Sequence, residues 1–157
     1  MPNTPTVLVI EDDPVFRRVL RFSIERCGLA VESVTDGEAA FARLMQGGID
    51  FIVTDYQMPG CDGVALLRRL DETVGYTRPA AILCTAKGLE LDGVRLRKEF
   101  RLEEIMHKPF SPRRLGDVIM GHLKATGRIC ERLGARRGDQ VVAFGRDNFT
   151  VNNVAHC

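Results

Sequence analysis

Short apolar runs alternate along the chain with stretches in which apolar residues recur at three- and four-residue spacing. Thr6-Val7-Leu8-Val9-Ile10 reads as a buried strand by its length and β-branching. Asp13-Pro14 offers an N-cap followed by proline at the first helical position, and Val15, Phe16, Val19, Leu20 and Ile24 carry a helix that Gly28 closes. Residues 30–34 form a second strand. Asp36-Gly37 then introduces a helix through Ala40, Phe41 and Leu44, ended by Gly47-Gly48. Phe51-Ile52-Val53 is a strand buried on both faces, and it runs into Asp55 and a Pro59-Gly60 loop.

Beyond Gly63, Val64, Leu66, Leu67 and Leu70 mark a third helix, and residues 79–84 a fourth buried strand ending on Thr85. A weaker helix over 91–100 precedes a fifth strand over 104–106. Ser111-Pro112 caps a last helix through Leu115, Val118, Ile119 and Leu123. Five strand–helix units predict an α/β fold: a doubly wound, five-stranded parallel sheet with helices on both faces, because parallel strands need right-handed helical crossovers. The units occupy residues 6–124, and residues 125–157 form a C-terminal extension.

The strand ends carry the chemistry: Glu11 and Asp12 after the first, Asp55 after the third, Thr85 after the fourth and Lys108 after the fifth. In the flavodoxin-like strand order 2-1-3-4-5 the first and third strands are neighbours at the topological switch point, so their carboxylates converge. Asp55 there can be a metal ligand, a nucleophile or the cap of the next turn. Three carboxylates repel one another until a hard divalent ion neutralises them, and oxygen-only ligands point to Mg2+. A metal beside Asp55 lets its carboxylate attack an incoming phosphorus, with Lys108 and the Thr85 hydroxyl as donors to phosphoryl oxygens. A haloacid-dehalogenase-type phosphatase would also use an aspartyl nucleophile, but it wants a second Asp two residues on, where this chain has Gln57.

Four segments, Ile10-Glu11-Asp12-Asp13-Pro14, Val53 to Gly63, Leu83-Cys84-Thr85-Ala86 and Lys108-Pro109-Phe110, together resemble the response-regulator receiver domains of two-component signalling. The resemblance implies that Asp55 accepts a phosphoryl group from a histidine kinase or a histidine phosphotransfer protein, and that the chain is not an enzyme in the ordinary sense. It implies that Asp12 and Asp55 bind Mg2+, with Glu11 acting through water and the Gln57 backbone carbonyl completing the protein ligands. Thr85 and Lys108 then contact the phosphoryl group, Asp13 caps a helix, and the Lys108-Pro109 bond is cis. Gln57 and Lys87 occupy the positions that tune the lifetime of the phosphorylated state in this family. Ile105 stands where the family carries the aromatic residue that follows the threonine. That difference leaves open a phosphorylation-independent dimerisation or docking module as the alternative. His107 is expected at the surface.

Charge and composition narrow the partners. With 22 Lys+Arg against 21 Asp+Glu in 157 residues, the formal charge is +1, and no global field advertises nucleic acid. The basic run of Lys124, Arg128, Arg132, Arg136 and Arg137 lacks interleaved aromatics and reads as a solvated face. No apolar segment approaches the roughly 20 residues that span a bilayer, and the start lacks a signal sequence. Five cysteines in no metal-ligand spacing suit reduced thiols, so a cytoplasmic location is expected. Residues 140–144 and 149–154 flank a turn at 145–148 and predict a hairpin, which is marginal alone. The extension is therefore expected to dock on the rest of the chain or to serve as a homodimer arm, and signalling is expected to run through protein contacts without a DNA-binding output domain.

Overall fold

The computed structural model describes residues 3–88 and 92–129. Ten elements alternate along it: β1 (Thr6–Ile10), α1 (Pro14–Glu25), β2 (Ala30–Val34), α2 (Gly37–Met45), β3 (Phe51–Asp55), α3 (Gly63–Glu72), β4 (Ala80–Thr85), α4 (Gly93–Glu99), β5 (Glu104–His107) and α5 (Pro112–Ala125). The strands form one parallel sheet in the order β2-β1-β3-β4-β5. This is the expected doubly wound, flavodoxin-like arrangement.

Alternation along each strand divides the core into two layers. Val7, Val9, Phe51, Val53, Ile82, Cys84 and Met106 face Leu20, Ile24, Leu115, Ile119 and Leu123 of α1 and α5. Leu8, Ile10, Ile52, Ala81 and Leu83 face Ala40, Leu44, Leu66, Leu67 and Leu70 of α2 and α3. The three central strands are buried on both sides, as their unbroken apolar runs require, whereas every residue of the edge strand β2 is half-exposed.

The first two helix starts follow the sequence reading at Asp13 and Asp36, and Asp62 adds a cap for α3 that the sequence reading did not name. Asp13, Asp36 and Asp62 accept the backbone N–H of Phe16, Ala39 and Ala65 at 2.7, 2.8 and 2.7 Å. Gly28, at φ +84°, terminates the first helix by donating to the Glu25 carbonyl at 2.9 Å, in a left-handed conformation that glycine adopts without strain. Two expectations need correction. Ser111 occupies the cap position of α5, yet its side chain makes no capping hydrogen bond, so Pro112 at the first turn carries the start alone. The fourth helix is shorter than 91–100: it begins at Gly93 behind the cap Asp92, and Leu91 lies outside the described residues.

The expected hairpin at 140–154 and the homodimer arm also lie outside the described residues. Among those described, no helix is long and apolar enough to cross a membrane, and Cys27, Cys61 and Cys84 are free thiols.

Candidate functional site

Parallel strands place all their carboxyl ends on one edge of the sheet. β1 and β3 are directly paired, with Ile10 opposite Thr54, so the residues that follow them meet. Glu11, Asp12 and Asp55 each bring a carboxylate oxygen to within 4.8 Å of the others. Glu11 and Asp55 are buried, at 1% and 6% exposure, and Asp12 is open to solvent.

Among the described residues, one side-chain cation pairs with them. The Lys108 ammonium, carried by the turn after β5, lies 2.8 Å from Glu11 Oε2 and 3.0 Å from Asp55 Oδ1. Its backbone N–H donates to the Thr85 carbonyl at 2.8 Å, and its bond to Pro109 is cis, as expected. Three carboxylates against one ammonium leave an excess of negative charge in a half-enclosed place. Burial pushes the Asp55 carboxyl above the usual carboxylate range, against the hydrogen bond and charge of Lys108, and Asp12 pushes the same way. Glu11 is raised for the same leading reason, with Asp55 adding to it. For Lys108, burial works against the charged form, but the hydrogen bonds to Glu11 and Asp55 outweigh it and hold the ammonium more firmly protonated.

This donor set fits a hard divalent cation. The oxygens are carboxylate, one ligand is exposed for entry, and the uncompensated charge is of the sign that a cation removes. Gln57 lies exposed in the loop after β3, where it lines a shallow depression with Tyr56, Met58, Pro59, Asp62 and Lys87.

Thr85 ends β4, one strand from Asp55, and is fully buried. Its hydroxyl oxygen accepts the Lys87 N–H at 2.9 Å, and the Lys87 carbonyl lies 3.1 Å from His107 Nδ1. His107 is exposed, as expected. The Lys87 ammonium is 5.5 Å from the centroid of the Tyr56 ring. Ile105 is half-buried on β5 and helps to line a groove with Gly93, Val94 and Arg97 of α4.

Two residues at this edge carry no motif. Arg17 Nη1 donates to the Glu11 carbonyl at 2.8 Å and to the Asp12 carbonyl at 3.3 Å, which fixes the turn bearing both acids. Nothing in the sequence separates it from Arg18 or Arg21. Phe16 reads as part of the apolar stripe of α1, but its ring centroid lies 4.1 Å from Lys108 Nζ, at the wall of the pocket.

Comparison with known proteins gives a consistent result. The family model described as the response regulator receiver domain matches residues 7–120. Among curated proteins, the transcriptional regulatory protein ResD of Bacillus subtilis is 34% identical over 150 residues, covering 96% of this chain and 56% of ResD. The aerobic respiration control protein ArcA of Escherichia coli is 32% identical over 151 residues, covering 96% of this chain and 62% of ArcA. The chain thus spans between half and two thirds of the length of these relatives. Among solved structures, the signal receiver domain of a putative Luxo repressor protein from Vibrio parahaemolyticus superimposes with a TM-score of 0.71 at 21% identity, over 80% of this chain and 94% of that one. A response regulator receiver domain protein from Clostridium thermocellum gives 0.67 at 23% identity, over 78% and 97%. At these identities the two structures establish the shared fold.

Proposed function

Because the chain belongs to the response regulator receiver family, we propose that it is a phosphorylation-controlled switch in which Asp55 accepts a phosphoryl group from the phosphohistidine of a histidine kinase or phosphotransfer protein. The observation that carries this reading is the placement of Asp55: a buried carboxylate among three within 4.8 Å, joined to Glu11 through the ammonium of Lys108.

Asp12 and Asp55 would hold Mg2+ directly, with Glu11 through water and the Gln57 backbone carbonyl as a further ligand. When bound, the ion supplies neutralisation of the phosphoryl charge and of the acidic cluster. The chain's own residues do the rest. An Asp55 carboxylate oxygen attacks phosphorus, the P–N bond to the donor imidazole breaks, the imidazole nitrogen takes up a proton, and an acyl phosphate forms. Lys108 turns an N–H from a carboxylate to a phosphoryl oxygen. The Thr85 hydroxyl, whose oxygen accepts the Lys87 N–H, donates to another. Gln57 and Lys87, beside the entrance, would set how long the acyl phosphate survives.

The message then leaves through protein contacts made by the receiver surface, in the cytoplasm. The relatives named as transcriptional regulators are longer than this chain, and residues 125–157, read from the sequence as a separate extension, would follow the receiver unit of 6–124.

Intact mass after incubation with acetyl phosphate, with and without Mg2+, beside Asp55→Asn, tests the proposal. A Mg2+-dependent gain of one phosphoryl group that the variant lacks supports it. No gain under either condition favours a docking module, a role to which Ile105, aliphatic where the family carries an aromatic, also points.

A further inference from the structure

We propose that Phe16 is a positioning residue for Lys108: its ring lies against the ammonium and holds it in line between Glu11 and Asp55. The inference deepens the phosphoacceptor reading and rests on it for its kinetic part.

An ammonium carries three N–H donors. One donates to Glu11 Oε2 at 2.8 Å, and the ammonium also forms an ion pair with Asp55 Oδ1 at 3.0 Å. The same ammonium lies over the Phe16 face, 4.1 Å from the ring centroid, inside the range in which an aromatic quadrupole attracts a cation. The ring is itself fixed. Phe110 meets it edge to face, with centroids 5.6 Å apart and planes at 78°. Phe110 lies two residues beyond Lys108, so the turn that carries the lysine also braces the ring that holds its tip. Phe16 is half-buried on the first turns of α1, and the helix that places it is anchored by Asp13 and by Arg17 on the Glu11 carbonyl.

A lysine stem has four rotatable bonds, and an ammonium among competing carboxylates can settle on either one. The ring removes that freedom on one side and keeps water from the same side. It offers no hydrogen-bond acceptor that would have to be surrendered when a phosphoryl oxygen arrives. The ammonium can therefore change its oxygen partner while it keeps its aromatic one. An aliphatic residue of similar size would fill the space without attracting the charge.

Phe16→Leu and Phe16→Tyr in the full chain separate the two possibilities. Acetyl phosphate with Mg2+ gives the maximal phosphorylation rate and the half-saturating donor concentration. The proton shifts of the Lys108 ε-methylene, measured without metal, report the ring above it. A positioning role lowers the maximal rate of Phe16→Leu by about fivefold at a similar half-saturating concentration. Most of the rate returns in Phe16→Tyr, and the Lys108 ring-current shift is lost in Phe16→Leu alone. Equal rates in all three proteins, or equal losses in both variants accompanied by a lower unfolding midpoint, would overturn it. If the parent chain takes up no phosphoryl group, the phosphoacceptor reading fails, and the methylene shift decides on Phe16 alone: a shift that Phe16→Leu leaves in place refutes the contact.

Discussion

The backbone of Asp55 lies against Gly63: a methyl group on Gly63 would stand 2.2 Å from the Asp55 carbonyl oxygen. Gly63 is the first residue of α3, and its N–H donates to the Tyr56 carbonyl at 3.1 Å, so the loop from Asp55 to Asp62 closes on itself. Gly63→Ala must push α3 away from the end of β3, where the backbone cannot yield as a side chain can. We expect a loss of roughly 1–3 kcal/mol, read from the urea midpoint, together with weaker Mg2+ binding by calorimetry.

Asp55→Asn should raise the stability of the metal-free protein. It removes one of three crowded carboxylates from a buried position and leaves Lys108 its bond to Glu11. Mg2+ should reverse the ranking, since a ligand present at a hundred times its dissociation constant adds about 2.7 kcal/mol to the chain that binds it. Thermal unfolding of both proteins, with and without Mg2+, checks the crossing; a parent that is unmoved by Mg2+ contradicts it.

Stability should depend on pH with two opposed signs. Glu11 and Asp55 are raised in the folded chain, chiefly by burial, so between the unfolded carboxylate value near about 4 and their raised values the folded state holds more protons. Metal-free stability therefore falls as pH rises through that window. Asp36 behaves in the opposite way. The Ala39 N–H lowers its carboxyl, so its contribution is present above the unfolded value and is lost as pH falls through the folded one. Urea midpoints across pH should show a shallower first slope in Glu11→Gln, where Asp55 alone still carries it, and should lose the second in Asp36→Asn.

Gly116 offers a test whose sign can be switched. It lies inside α5, where alanine is favoured by about 1 kcal/mol, yet a methyl there would stand 2.7 Å from Cys27 Sγ. Gly116→Ala should destabilise the parent and stabilise a Cys27→Ala background. Equal effects in both backgrounds would show that the sulfur moves aside.

The alternation of strands and helices, the strand order and the grouping of Glu11, Asp12, Asp55 and Lys108 were legible because each rests on a local signal. Unbroken apolar runs fix the central strands, and parallel pairing then gathers their carboxyl ends. What escaped is carried by contacts between distant segments. Phe16 has the spacing of a core residue, and only the return of the chain at Lys108 makes it a pocket wall. Arg78 looks like one more surface arginine in sequence, but its side chain is 5% exposed, pairs with Asp71 at 2.7 Å and donates to the Phe100 carbonyl across α3 and α4. Ser111 shows the converse, a cap residue type in a cap position without the hydrogen bond.

The last helix begins four residues after Lys108 and runs back the length of the sheet to Thr126, past His122 on Glu103, to where Arg128 meets Asp50 at the amino end of β3. At about 1.5 Å per residue it is a strut some 20 Å long, the length of the strands it covers. One end is rooted in the turn that carries the ammonium, and the other is moored on the opposite rim. Pro112 follows that turn directly, and Leu115, Ile119 and Leu123 pack the helix against the core along its length. The rim that carries the pocket and the opposite rim of the sheet are thereby tied by one continuous helix, Pro112–Ala125.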